Sequence, residues 1–380
     1  MLLKKLANIK KKMKTKPKAL YIHIPFCSFI CDYCDFKKLQ YFRFMAEKYL
    51  KVLFSELKTE VDNYNLETIY IGGGTPTVLE DDLFEDLLIN IQPFVSPNLK
   101  ELTVECNPDS LTENKLKLMK KYGVNRLSLG VESTDDRILS SINRKHTFDD
   151  VKNSISLAKA YGFNNINVDL ILGLPNVTES LLKKDIQNIL LLNVEHISCY
   201  SLSVNPHTIF YLNKIQEPSD IIARRLYDMV AKKLMEEGYI HYEISNWAKD
   251  GYYSKHNLTY WKDEQYYSVG LAASSYIYPY RKKHTSNFDQ YIKNNLYDDK
   301  ETEFIDLKTD RTYFIMLNLR TIFGLNLNKF KDLFNEDLLI TKHDEISNFI
   351  SQNLLIIKDN TLIPTYEGMM ILDQILLNLI

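Results

Sequence analysis

Between residue 19 and about residue 246, short β-branched runs alternate with longer stretches whose apolar residues recur at three- and four-residue spacing. The runs at 19–24, 68–72, 101–105, 125–129, 165–171 and 195–200 predict strands, and the stretches at 42–64, 81–94, 111–121, 148–161 and 179–192 predict helices. Strand and helix in strict alternation predict a parallel sheet, because parallel neighbours need a long crossover between them. Such a sheet is either doubly wound or an incomplete (β/α)6, TIM-like barrel, and in both forms the site collects at the C-terminal strand ends.

From residue 262 the pattern changes, with Tyr, Lys and Asn in abundance. Helices are expected over 309–322, 327–334 and 342–352, a hairpin-like pair over 353–364 and a last helix from Thr365. Helices followed by a small β-wing predict a smaller, winged-helix-like α+β lobe. The expected division is a basic leader (1–18), a barrel domain (19–250) and a C-terminal domain (251–380).

A hydrophobic share of 45% in 380 residues is ample for a packed core. No apolar run approaches the roughly 20 residues that span a bilayer, and no signal-peptide core opens the chain. A cytoplasmic location is therefore expected, with membrane contact only through partners. The net charge of −2 hides an asymmetry: residues 1–18 hold eight lysines and no acid, so residues 19–380 carry 39 basic against 49 acidic residues. No aromatics alternate with those lysines and no basic recognition stripe stands out in the C-terminal lobe, so no nucleic-acid partner is expected.

Candidate chemistry concentrates in Tyr21-Ile-His-Ile-Pro-Phe-Cys27-Ser-Phe-Ile-Cys31-Asp-Tyr-Cys34-Asp-Phe36. Cysteines separated by three and then two residues must curl one loop around a shared centre. Five cysteines in a long chain do not make a disulfide framework. Structural zinc wants four closed ligands, whereas three thiolates suit an iron–sulfur cluster with one iron left open. Other informative residues fall at the predicted strand ends: Gly72-Gly73-Gly74-Thr75-Pro76-Thr77, Glu105, Glu132, then Arg144, and Asp169 inside an otherwise apolar strand. Glycines there let a ligand approach the backbone, and a buried Asp must be paired or face a ligand.

The cysteine spacing resembles the signature of the radical SAM superfamily. With Gly-Gly-Gly-Thr-Pro-Thr, Thr103-Val-Glu-Cys-Asn-Pro108, Leu127-Ser-Leu-Gly-Val-Glu-Ser133 and Asp169-Leu-Ile-Leu-Gly-Leu-Pro175 in that order, it resembles the HemN/HemW group. The resemblance implies a 4Fe-4S cluster on Cys27, Cys31 and Cys34, whose open iron chelates S-adenosylmethionine (SAM). It implies Tyr21 beside the sulfonium, Gly73 and Gly74 at the methionine amino group and Glu105 on the ribose, with Tyr33, Thr75, Glu132, Arg144 and Asp169 lining the cofactor region. It also implies reductive cleavage of SAM, fed by a donor such as flavodoxin or ferredoxin.

The group contains an oxygen-independent coproporphyrinogen III oxidase, which converts its substrate to protoporphyrinogen IX, and a haem chaperone. The chain reads Cys34-Asp35-Phe36, without the further cysteine of the oxidases, and only about 20 residues precede its first strand. Both features favour the chaperone branch, with haem as cargo and a client haemoprotein as partner. His256-Asn-Leu-Thr-Tyr-Trp261 matches that branch's HNxxYW motif, making His256 the candidate haem ligand. Three positions depart from the group: Glu132 stands where Gln is usual, Asn205 where Glu is usual, and 268–275 keeps one glycine of a glycine-rich run.

Overall fold

The computed structural model describes residues 15–61, 65–297 and 299–380. Most of the expected leader, and residues 62–64 of the helix expected over 42–64, lie outside them. Six parallel strands run in chain order across one sheet: β1 (Ala19–Ile24), β2 (Thr68–Gly73), β3 (Glu101–Cys106), β4 (Arg126–Glu132), β5 (Ile166–Leu172) and β6 (His196–Ser201). The crossovers carry α1 (Arg43–Glu60), α2 (Asp81–Ile91), α3 (Glu113–Lys121), α4 (Phe148–Ala160) and α5 (Glu179–Leu191).

Alternation along the strands explains why the sheet curls instead of being covered on both faces. In β4, Leu127, Leu129 and Val131 join the apolar core shared with the helices, while Arg126, Ser128, Gly130 and Glu132 line a cavity. β5 repeats the division, with Val168, Leu170 and Leu172 in the core and Asn167, Asp169 and Ile171 on the cavity. Helices therefore cover one face, and β2 to β6 all contribute walls to one interior space. This is the partial-barrel alternative, not the doubly wound one.

After β6 the chain adds α6 (Asp220–Glu236), then β7 (Ile240–Glu243) and β8 (Asn246–Ala248), which pair antiparallel, β8 also running antiparallel to β6. A short helix, α7 (Lys255–Trp261), follows. β9 (Tyr267–Val269) then pairs parallel with β1 at the other edge, completing nine strands in the order β9-β1-β2-β3-β4-β5-β6-β8-β7. A division at residue 250 cuts across this sheet, because β9 lies beyond it. The physical reason is that β1 would otherwise present an unpaired edge.

The C-terminal lobe has its own core of Phe314, Phe330, Phe334, Leu362, Ile375 and neighbours. It is built from α8 (Leu307–Asn318), α9 (Leu327–Phe334), α10 (His343–Ser351) and α11 (Leu372–Leu379), with strands Leu325–Asn326, Leu355–Lys358 and Thr361–Pro364 in one small sheet. That is the expected helical lobe with a β-wing. No described helix is long and apolar enough to cross a membrane.

Candidate functional site

The three cysteines sit on the loop after β1. Pro25 and Cys27 carbonyls accept from Leu39 N (2.6 Å) and Tyr41 N (2.9 Å). Asn143 Nδ2 donates to Ile30 O at 2.7 Å, Asp32 N to Ile142 O at 3.2 Å and Phe210 N to Asp32 O at 3.0 Å. The loop is thus tied to three separate segments, and Cys27, Cys31 and Cys34 all line one cavity of about 350 Å³.

Eleven of the thirteen expected site residues line that cavity: the three cysteines, Tyr33, Gly73, Gly74, Thr75, Glu105, Glu132, Arg144 and Asp169. Glu105 projects inward from β3, where Tyr70 Oη donates to its Oε1 (2.7 Å) and Gly73 N to its Oε2 (2.8 Å). Burial pushes its pKa up to about 7, against the pull of those two donors. Asp169 is also raised by burial, with hydrogen bonds from Asn167 and Ser198 pulling the other way. Glu132 sits at φ +66° beside a register shift in β4, which turns its carboxylate toward Arg144 at 3.8 Å. Burial lifts Glu132 to about 7 as well, and the Arg144 charge opposes it.

Arg144 ties the acids to the thiols. Its Nη1 lies 3.6 Å from Cys31 Sγ, and Nη2 donates to Asn107 Oδ1 (3.1 Å) and to Gly130 O. Thr75 Oγ1 lies 3.8 Å from Cys27 Sγ. Burial raises Cys27 to about 12 and raises Cys34, so without metal both thiols keep their protons. Among the described residues no three His, Cys, Asp or Glu side chains converge on a single metal ion. Three thiols around one end of a cavity, with donors aimed at two of them, fit a cluster held by three thiolates better than a closed zinc site.

Two expected residues lie elsewhere. Tyr21 Oη is 2.9 Å from His23 Nδ1, and its ring stacks on Tyr70, which itself lines the cavity. His256 has no nitrogen free for a haem iron. It is 1% exposed, its Nδ1 is 2.9 Å from Thr68 Oγ1, and its Nε2 is 2.7 Å from Tyr260 Oη. Burial holds it neutral, with a pKa lowered to about 3. Glu101, at the start of β3, accepts from the first backbone N–H groups of α7, Lys255 N (2.8 Å) and His256 N (3.1 Å). The HNxxYW segment thus plugs the barrel at the N-terminal ends of its strands.

Sequence reasoning missed several walls: Tyr70, Asn107, Arg126, Ser128, Asn167 and Ser198. Their signal was polar residues at alternate positions of apolar strands, visible in Arg126, Ser128, Asn167 and Ser198. Ser128 and Asn167 belong to a chain with assignable protons. Asn167 Nδ2 donates to Asp169 Oδ1 (2.9 Å) and Ser128 Oγ (2.8 Å), so its Oδ1 accepts from His196 Nδ1 (2.6 Å). His196 Nε2 must then accept from Tyr242 Oη (2.8 Å), which accepts from Ser254 N (3.2 Å). Asp169 is thereby linked to Ser254, which caps the plug helix.

Residues 21–189 match the family model of the Radical SAM superfamily, and residues 305–371 that of the HemN C-terminal domain. Curled sheet, cysteine loop and these matches define the class, a radical SAM protein. The chain is 36% identical over 350 residues to "Heme chaperone HemW" of Lactococcus lactis subsp. lactis, covering 90% of this chain and 92% of that one. It is 35% identical over 372 residues to the protein of the same name in Bacillus subtilis, covering 94% and 98%. Within the radical SAM class, the chain belongs to the HemW family. The solved structure "Coproporphyrinogen III oxidase (HemN) from Escherichia coli is a Radical SAM enzyme" superposes with a TM-score of 0.83, covering 98% of this chain and 93% of that one. At 18% identity this likeness speaks for the fold alone.

Proposed function

We propose that this protein is a haem carrier: it holds a 4Fe-4S cluster on Cys27, Cys31 and Cys34, binds SAM along the cavity, takes up haem and hands it to a client haemoprotein in the cytoplasm. The observation that carries this reading is the identity to the two HemW proteins over nine-tenths or more of every chain involved. The sequence Cys34-Asp35-Phe36, lacking the further cysteine of the oxidases, supports it independently.

A cluster held there by Cys27, Cys31 and Cys34 would, once reduced by a donor of the flavodoxin or ferredoxin kind, supply the electron for reductive cleavage of SAM. The protein's own groups do the holding. Arg144 and Thr75 place donors beside two of the sulfurs, which favours thiolate over thiol. Glu105, fixed by Tyr70 and Gly73, offers carboxylate oxygens to ribose hydroxyls. Gly73 and Gly74 bring bare backbone to the methionine end.

The test uses cluster-reconstituted full-length protein without oxygen. Haem is titrated and read by absorbance, transfer to an apo-haemoprotein is followed, and coproporphyrinogen III is supplied with SAM and a reductant. Stoichiometric haem uptake and transfer without porphyrin product is the expected result. Protoporphyrinogen formed over many turnovers would overturn the carrier reading in favour of the oxidase. Cys31→Ser is expected to lose the cluster's visible absorbance, and full retention would sink the ligand assignment.

A further inference from the structure

The cavity contains a guanidinium whose charge reaches Glu105 and Asp169 but which, among the described residues, no group hydrogen-bonds. Arg126 opens β4, is 2% exposed and lines the cavity. Its Nε is buried without a partner, and among the described residues no hydrogen bond or ion pair reaches its guanidinium. Arg144, by contrast, is occupied by Cys31, Asn107, Gly130 O and Glu132. Register places Arg126 opposite Thr103 and Ser128 opposite Glu105, so Arg126 sits one inward-facing layer beneath Glu105, away from the cysteine loop. Asn257 of the plug helix lines the same space.

A buried guanidinium with its hydrogen bonds unmade is costly, and its planar fork matches a carboxylate held through two parallel hydrogen bonds. Glu105, Glu132 and Asp169 line the same cavity, so a doubly charged phosphate would meet three acids. A singly charged carboxylate meets less repulsion.

We propose that Arg126 is a carboxylate-binding subsite on the cavity floor. It seats the acid group of a ligand other than the SAM chelated at the cysteine loop. Haem, through a propionate, and a second SAM, through its methionyl carboxylate, both carry that group. The proposal rests on the haem-and-SAM reading above.

Equilibrium binding to full-length, cluster-reconstituted wild type, Arg126→Gln and Arg126→Lys tests it, with haem, haem dimethyl ester and SAM as probes. If a propionate is seated, Arg126→Gln weakens haem binding roughly ten- to hundredfold, leaves the dimethyl ester unchanged, and Arg126→Lys recovers part of the loss. If a second SAM is seated, Arg126→Gln loses one equivalent of SAM and leaves haem binding unchanged. Wild-type affinity and stoichiometry for both acids in Arg126→Gln, or equal loss of haem and its diester, would overturn the subsite. Should Arg126→Gln fail to fold, the wild type decides: equal affinity for haem and its diester together with a single SAM equivalent overturns it. Wild-type protein that binds neither haem nor SAM would instead refute the carrier reading, and the subsite with it.

Discussion

Gly74 is required by contact and not by its backbone angle. A Cβ there would lie 2.6 Å from Phe26 O and 3.0 Å from Cys27 Sγ, neither of which can move without disturbing the cysteine loop. Gly73 is different: it sits at φ +117°, where any side chain is strained. Gly74→Ala is therefore expected to lower iron and sulfide per chain after reconstitution severalfold, with the Cys27 end of the loop displaced. Full occupancy in that variant would show that the close approach has no bearing on cluster binding. The glycine run was legible in sequence as a place of close backbone approach. That the neighbour is a cysteine sulfur was not, because Cys27 and Gly74 are 47 positions apart and only the β1–β2 pairing brings them together.

At the scale of elements, α7 is the part whose role sequence misassigned. Its His and flanking aromatics have the chemistry of a haem ligand, yet the helix closes the barrel and spends both imidazole nitrogens on Thr68 and Tyr260. Glu101 anchors it through two backbone N–H groups. Glu101→Ala would leave the buried His256 N–H and the part-buried Lys255 N–H without this acceptor, and a loss of roughly 1 to 3 kcal/mol is expected by chemical denaturation. A loss below about 0.5 kcal/mol would mean that the plug is not held by this carboxylate. Periodicity could not reveal the plug, since α7 is only seven residues long and its partners lie on other strands. By contrast α9, with strong amphipathicity around Leu327, Phe330 and Phe334, was expected over 327–334 and lies there.

For the whole molecule, the closing of the sheet by β9 makes barrel and C-terminal segment interdependent. Glu56 on α1, fully buried, accepts from Gly270 N and Tyr291 Oη and contacts His284, all beyond residue 250. A chain ended at residue 250 would strip that carboxylate of these partners and their cover and bare the β1 edge. We expect it to be insoluble or to lack a cooperative thermal transition. A cooperative transition matching that of the full chain would show that the barrel folds alone.

Acid and base limits of stability follow from interior groups of opposite sign. Burial lowers His23, His146 and His241 to about 4 and His256 to about 3, so each contributes stability that is present above the usual 6.5 and is lost as pH falls through the folded value. Glu105, Glu132 and Glu243 are raised to about 7, so each contributes stability present below the usual 4.5 and lost as pH rises to 7. Between 4.5 and 6.5 the two sets oppose one another; below 4.5 only the histidines still change. Thermal midpoints of the cluster-free protein are expected to vary little from pH 5 to 7 and to fall steeply below 4.5. A midpoint that rises toward pH 4 would contradict the buried neutral histidines.

The sequence by itself determined the six strands and five crossover helices of the barrel, the cysteine loop and the glycines and acids on the cavity walls. It could do so because each is a local pattern: a period of hydrophobicity, a spacing of thiols, a polar residue inside an apolar strand. Tertiary structure alone decided the rest. It set the curl of the sheet, the return of residues 267–269 to the β1 edge, the sealing of His256 into the floor and the absence of a hydrogen-bond partner at Arg126 Nε. Those depend on which distant groups meet, and a one-dimensional pattern fixes how a strand alternates but not what stands opposite its polar face.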